Sequence, residues 1–281
     1  MGSAMAGTLH RAGHRLILWN RSPGKAREIQ AETGANLADS PAGAVAGADV
    51  AISSLADNEA VETVYLGAGG VVEGAHSGSV ILEMSTIDPE TVERVGKAVE
   101  ATGAVFLDSP VSGSVSTVEN GALTIMVGGD ADVLQRARPV LEALSTRIVH
   151  TGGRGSGSAT KLAVNALVHG LNVALSEALV LAEKAGVDRH TAYEVFANGA
   201  GGAPFVHYKR AAYEDPDETP VAFSLDLVAK DLELITGLGE RLGPPMAQAG
   251  VNLQIVRQAI EAGLGERDLS AIAVYLRDPP K

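Results

Sequence analysis

The sequence predicts an α/β N-terminal domain on a mostly parallel sheet, with the first strand missing, and an all-α C-terminal domain, the two joined by a long helix. Three observations carry this. Short β-rich runs alternate with helical stretches through the first half, the pattern of βαβ units. A glycine cluster, Gly152-Gly153-Arg154-Gly155-Ser156-Gly157, then breaks the pattern. Beyond it only helical stretches follow, which places the domains at 1–153 and 154–281.

The elements read in order. After Met1-Gly2-Ser3-Ala4-Met5-Ala6 a helical run reaches Ala12, and Leu16-Ile17-Leu18-Trp19 is the first strand candidate. Ser22 and Pro23 announce a helix to Thr33, with serine as N-cap and proline at the first helical position. Val50–Leu55, Val80–Met84, Ala104–Leu107, Leu123–Val127 and Arg147–His150 are further strands. Glu59–Tyr65, Pro89–Thr102 and Ala131–Leu144 are the helices between them. In the second half helices are expected at about 157–184, 188–198, 224–241, 245–262 and 268–277. Tyr213–Pro220 is an acidic, proline-containing connector.

Composition narrows the function classes. At 281 residues with 46% hydrophobic content, the chain suits one large domain or two ordinary ones, and is not disordered. A formal charge of −12 argues against a phosphate backbone as partner, so no nucleic acid is expected. Cysteine is absent, which excludes disulfides, thiolate zinc sites and cysteine nucleophiles, and fits a cytoplasmic location. No cationic segment followed by an apolar block opens the sequence, so no secretory signal is expected. Leu162–Ala182 has the length of a membrane span. It carries Asn165, His169, Asn172, Ser176 and Glu177 on more than one face, so it is expected as a buried helix packed on both sides, and no membrane partner is expected.

Candidate chemistry sits at strand ends and on the long helix. A dinucleotide-binding unit opens with a strand and a G-x-G-x-x-G turn. Gly2 would be only the last glycine of that turn, so the preceding strand and first two glycines are expected to lie outside a truncated or misassigned start. Such a form is expected to be less stable or to bind cofactor poorly, because a central strand is buried on both faces. Asn20-Arg21-Ser22 follows the Leu16–Trp19 strand, where a guanidinium suits a ribose 2′-phosphate and no acid repels it, favouring NADP with NAD possible. Gly2, Met5 and Leu55 complete the cofactor-side candidates in this half. Ser85-Thr86 ends a strand, where hydroxyls meet a ligand or cap the next helix. Asp108-Ser109-Pro110-Val111-Ser112-Gly113-Ser114 is a loop of small residues in which Ser112 and the Gly113 and Ser114 amides could take a carboxylate. Lys161 and Asn165 are four apart and share a helix face. Phe223, Lys230 and Asp231 lie on or beside a late helix; adjacent Lys230 and Asp231 point in different directions.

In this order the motifs resemble those of the β-hydroxyacid dehydrogenases. The similarity includes Gly13-His14, Trp19-Asn20-Arg21-Ser22, Met84-Ser85-Thr86, Leu107–Gly113, Met126-Val127-Gly128-Gly129, Gly155-x-Gly157-x-x-x-Lys161-x-x-x-Asn165, Glu177-Ala178 and Lys230-Asp231-Leu232. The resemblance implies a Rossmann-type N-terminal domain and a helical domain for substrate and oligomerisation; the apolar linking helix suggests subunit contacts, so a homodimer or homotetramer is expected. By matching position Lys161 is the general acid/base and Asn165 positions substrate and lysine. Ser112 and Gly113 hold the substrate carboxylate, Thr86 lies near nicotinamide and substrate, Phe223 and Asp231 line the pocket, and Lys230 approaches the cofactor. The sequence departs from the pattern at Ser114, Thr117-Val118, Ala122 and Val164, around the substrate loop, so substrate identity transfers least.

The implied activity is hydride transfer between NADPH and a small carboxylate-bearing semialdehyde or 3-hydroxy acid, with burial expected to lower the Lys161 pKa toward the working range. Two rivals stand beside it. An imine reductase of related architecture usually carries an acid or tyrosine where Lys161 stands. A cofactor-poor scaffold of the same fold is supported by the absent glycines. The chain is too short for the larger helical domain of the 6-phosphogluconate branch.

Overall fold

The computed structural model describes residues 1–278, which form two compact units, Met1–Lys161 and the residues from Leu162 onward. In the first unit β1 (Ile17–Leu18) and β2 (Asn36–Leu37) pair in parallel as a sheet of their own. The main sheet contains β3 (Val50–Ser53), β4 (Val80–Glu83), β5 (Val105–Asp108), β6 (Val111–Ser112), β7 (Leu123–Gly128) and β8 (Ser145–Gly152). Its order is β3-β4-β5-β7-β6, with β8 also on β7. The β3/β4, β4/β5 and β7/β8 pairs are parallel, whereas β7 runs antiparallel to β5 and β6.

The strands of the first unit are divided between these two sheets. Here β1 and β3 belong to different sheets, and a cavity of about 950 Å³ is lined by Leu16–Asn20 and by Asp49–Leu55. The helix Gly2–Arg11 buries Met5, Ala6 and Leu9. Met5 and Leu9 join the core formed by Leu82, Leu107, Leu123, Ile125 and Leu141. The other side of the sheet packs Tyr65, Ile81, Val92, Val95 and Phe106. A sheet covered by apolar residues on both faces explains the continuous hydrophobic runs of its strands.

Of the glycines before Lys161, Gly157 is required by close packing. Asp108 pairs with Gly128 across β5 and β7. Asp108 Oδ1 accepts from the Gly155 amide at 2.9 Å and Oδ2 from the Ser158 amide at 2.8 Å, so a carboxylate from the sheet caps the helix Ser156–Lys184. Burial nevertheless pushes the Asp108 carboxyl up, despite these bonds. A Cβ on Gly157 would stand 2.6 Å from the Asp108 carbonyl oxygen and 2.7 Å from that of Met126. Both obstacles are sheet backbone. Gly157→Ala is therefore expected to destabilise the protein by about 1–3 kcal/mol; a melting temperature equal to that of the parent would contradict this contact. Residues 154–161, placed after the boundary in the sequence, group with the first unit.

The second unit is helical: Arg189–Asn198, Pro204–Tyr208, Arg210–Glu214, Leu225–Leu242, Ala247–Ala259 and Ala271–Arg277 follow the long helix. Its core includes Leu162, Leu179, Tyr193, Phe205, Val228, Leu232, Val256 and Ile272. Helix to 262 was expected, but the chain enters a π turn at Ile260–Leu264, where Gly263 takes φ 87°. The long helix is not packed on both sides. Asn165, His169, Asn172 and Ser176 are buried, while Leu167 and Leu181 are 75% and 72% exposed. Its buried polar residues find partners inside the unit: Tyr213 Oη donates to Asn172 Oδ1 at 2.6 Å, and Asn172 Nδ2 donates to the Leu269 carbonyl at 3.1 Å. Lys209 Nζ reaches both oxygens of Asp268, at 2.9 and 2.7 Å, in a buried ion pair.

Candidate active site

The cavity of the first unit gathers Gly2, Met5, Asn20 and Leu55, four of the predicted cofactor-side residues, with Lys25, Ser53 and Ser54. Gly2 begins a helix, and a helix start presents free amides and a positive dipole end to an anion. Ser54 Cβ is 3.9 Å from where a Gly2 Cβ would stand, so the helix start and the end of β3 lie side by side. Lys25 adds a cation. This donor set fits the phosphates of a dinucleotide. Arg21 and Ser22 are exposed and are not among the lining residues. Asn20 Nδ2 donates to the Ser22 carbonyl at 2.6 Å, folding the strand end on itself. Ser22 holds the N-cap position of Pro23–Thr33, but its side chain makes no capping bond; the proline start is what remains of that prediction.

Beside the cavity lies an acid that no motif in the sequence marks. Glu83, fully buried on β4, accepts from Ser53 Oγ and, at 2.7 Å, from the Ser85 amide. Tyr65 Oη is 2.7 Å from Ser53 Oγ. Burial pushes the Glu83 carboxyl up, against the lowering effect of these donors. Its signal in the sequence was a lone charge inside Val80-Ile81-Leu82-Glu83-Met84. Ser85 Oγ accepts from the Leu55 amide at 2.7 Å and so ties together the ends of β3 and β4. Neither Ser85 nor Thr86 caps the next helix. Asp88 does, accepting from the Glu90 amide at 2.8 Å.

The loop expected to take a carboxylate is partly committed to itself. Ser112 ends β6 and Gly113 takes φ 144°, with Thr117 and Leu123 packed where a side chain would stand. The Ser114 amide donates to Thr117 Oγ1 at 3.2 Å, and Ser114 Oγ accepts in return from the Thr117 amide. This capping box opens the short helix Val115–Glu119, so the Ser114 amide is not offered to an anion as expected. Ser112 and Gly113 carry the remainder of that expectation.

Lys161 and Asn165 stand one turn apart on the helix Ser156–Lys184. In the second unit Asn165 is locked: its Nδ2 donates to Asp231 Oδ2 at 2.6 Å. Lys230 Nζ lies 2.7 Å from Asp231 Oδ1. Although adjacent in sequence, the two side chains form a pair. Burial raises the Asp231 carboxyl, but His169 and Lys230 outweigh it and hold the group below its usual range. The His169 ring stacks on Phe223, with centroids 6.1 Å apart. Thus Asn165, Phe223, Lys230 and Asp231 converge within this unit. Histidine and the Lys209–Asp268 pair were not singled out from the sequence, because only the folded packing shows what they touch. An ammonium on a helix face beside a fixed amide can supply charge and a proton to an oxygen held there.

The fold, with its family models and relatives, places the chain among the NAD(P)-dependent oxidoreductases. Residues 1–152 match the family described as the NAD binding domain of 6-phosphogluconate dehydrogenase, and residues 155–276 that described as the NAD-binding of NADP-dependent 3-hydroxyisobutyrate dehydrogenase. The chain is 33% identical over 272 residues to glyoxylate/succinic semialdehyde reductase 1 of Arabidopsis thaliana, covering 97% of this chain and 93% of that one. Among solved structures, 3-hydroxyisobutyrate dehydrogenase of Salmonella typhimurium superposes with a TM-score of 0.90 at 27% identity, covering 97% and 95% of the two chains. That of Mycobacterium tuberculosis, with L-serine, gives a TM-score of 0.86 at 32% identity, covering 99% and 96%. The chain belongs to the β-hydroxyacid dehydrogenase family.

Proposed function

We propose that this protein transfers a hydride between NADPH and a small carboxylate-bearing semialdehyde or 3-hydroxy acid, with Lys161 as general acid/base. The observation that supports it most is the Lys161–Asn165 pair, whose amide is anchored by Asp231. The nicotinamide, when bound, supplies the hydride. As the carbonyl carbon is reduced, negative charge grows on its oxygen; the Lys161 ammonium stabilises that charge and gives up a proton to it. In the reverse direction neutral Lys161 accepts the alcohol proton. Asn165 orients the substrate and the lysine, Ser112 and Gly113 hold the carboxylate, and Thr86, Phe223 and Asp231 shape the pocket. Gly2, Met5, Asn20 and Leu55 hold the cofactor, Lys230 approaches it, and Arg21, with Ser22, favours the 2′-phosphate of NADP, NAD being the weaker alternative. The exposed Leu167 and Leu181 support a homodimer or homotetramer built on the long helix.

The test is an initial-rate comparison of glyoxylate, succinic semialdehyde and a cyclic imine, each with NADPH and NADH. Turnover of at least one semialdehyde, with higher kcat/KM for NADPH, is expected. Turnover of the imine alone would transfer the protein to the imine reductases. No turnover, joined to unchanged Trp19 fluorescence and calorimetric silence on NADPH titration, would favour the scaffold.

A further inference from the structure

His169 is 2% exposed, and among the described residues neither ring nitrogen has a hydrogen-bond partner. A buried polar group without a partner destabilises the fold, and a leucine or phenylalanine would cover the same surface without that cost. Its surroundings give the residue a purpose. His169 follows Asn165 by one helical turn and shares its face. The ring stacks on Phe223. Nε2 stands 3.6 Å from Asp231 Oδ2, the very oxygen that accepts from Asn165. At that separation the contact is electrostatic rather than a hydrogen bond. It nevertheless lowers the Asp231 carboxyl together with Lys230. An ionised carboxylate can only accept, so it forces the Asn165 amide to turn its nitrogen inward. The orientation of Asn165 thereby depends on a charge that His169 helps to hold.

We propose that His169 is a positioning residue, fixing the Asp231 carboxylate and through it the Asn165 amide and the Phe223 ring. This rests on the proposed function for its effect on rate, but not for its effect on Asn165. His169→Phe keeps a ring against Phe223 and removes both nitrogens; His169→Gln returns an N–H. With the semialdehyde turned over best, His169→Phe is expected to lower kcat/KM roughly tenfold, the scale of the Asn165 hydrogen bond to the Asp231 carboxylate that would lose its fixed geometry. NADPH affinity should stay as in the parent and the melting temperature should be no lower, and His169→Gln should recover most of the loss in rate. Purely structural damage would instead lower all three together.

The second measurement needs no turnover. In protein labelled with ¹⁵N-asparagine, the Asn165 side-chain amide, assigned by its loss in Asn165→Ala, should be shifted and slow to exchange in the parent and in His169→Gln, and averaged in His169→Phe. If the phenylalanine variant does not fold, His169→Leu replaces it in both arms. An Asn165 amide unchanged on removal of the imidazole overturns the proposal, whatever the rates do; so does a kcat/KM that stays at the parent value. An amide that responds as expected in a protein with no turnover instead rejects the reading of the enzyme.

Discussion

Lys161→Ala is expected to cut turnover at least ~100-fold while NADPH binding is kept. General acid/base assistance is worth about 10²–10⁴-fold, and the lysine is given the whole of it here. Gly2, Met5, Asn20 and Leu55, four of the residues assigned to the cofactor, line a cavity that does not include Lys161, so its truncation leaves them in place. Lys161→Arg sharpens the test. A guanidinium keeps the positive charge but does not exchange a proton near neutral pH. If Lys161 served only to attract a substrate carboxylate, arginine would restore most of the rate and the defect would lie in KM. If it moves the proton, arginine remains as poor as alanine, and the loss falls on kcat. Stopped-flow measurement of a single turnover separates this step from product release. Near-parent kcat in Lys161→Ala would remove the lysine from the reaction.

The elements that could be read in advance are those whose ends are marked locally. Pro23–Thr33 and Ala131–Leu144 occur with the expected bounds, because proline or aspartate opens them and a glycine or a β-branched run follows. The two-residue strands Asn36–Leu37 and Val111–Ser112 carry too little pattern to be seen, and exist only because a neighbouring strand offers its edge. Local chemistry also misled at the caps. Ser22 and Ser85-Thr86 have the right side chains, yet Ser85 is drawn to the Leu55 amide and Asp88 takes the helix end. At the candidate site, helical spacing made legible only that Lys161 and Asn165 share a face; their proposed roles came from the family resemblance. The convergence of Asp231 on Asn165 was not, because it spans 66 residues and is made by packing between helices.

Lys209→Met is expected to cost about 3–5 kcal/mol, the penalty for leaving one member of a buried pair without its counter-ion. Both side chains are almost fully enclosed, 8% and 7% exposed. The carboxylate has further duties: Asp268 Oδ2 accepts from the Ala222 and Phe223 amides at 3.0 and 3.3 Å, and Oδ1 from the Ser270 amide at 3.2 Å. It thus pins the backbone that delivers Phe223, and the variant should lose affinity for substrate as well as stability. Burial raises the Asp268 carboxyl, but Lys209 and these amides prevail and hold it below its usual range. A carboxylate depressed in the folded state contributes stability above its unfolded pKa, and loses that contribution as the pH falls through the folded pKa. Without Lys209 the carboxyl is expected to rise and protonate earlier on acidification, becoming a neutral group that is cheaper to bury. The difference in melting temperature between parent and variant, followed by circular dichroism, should therefore be widest near pH 7 and shrink toward pH 4. A difference that is small at pH 7, or that grows on acidification, would show that this ion pair does not hold the second unit together.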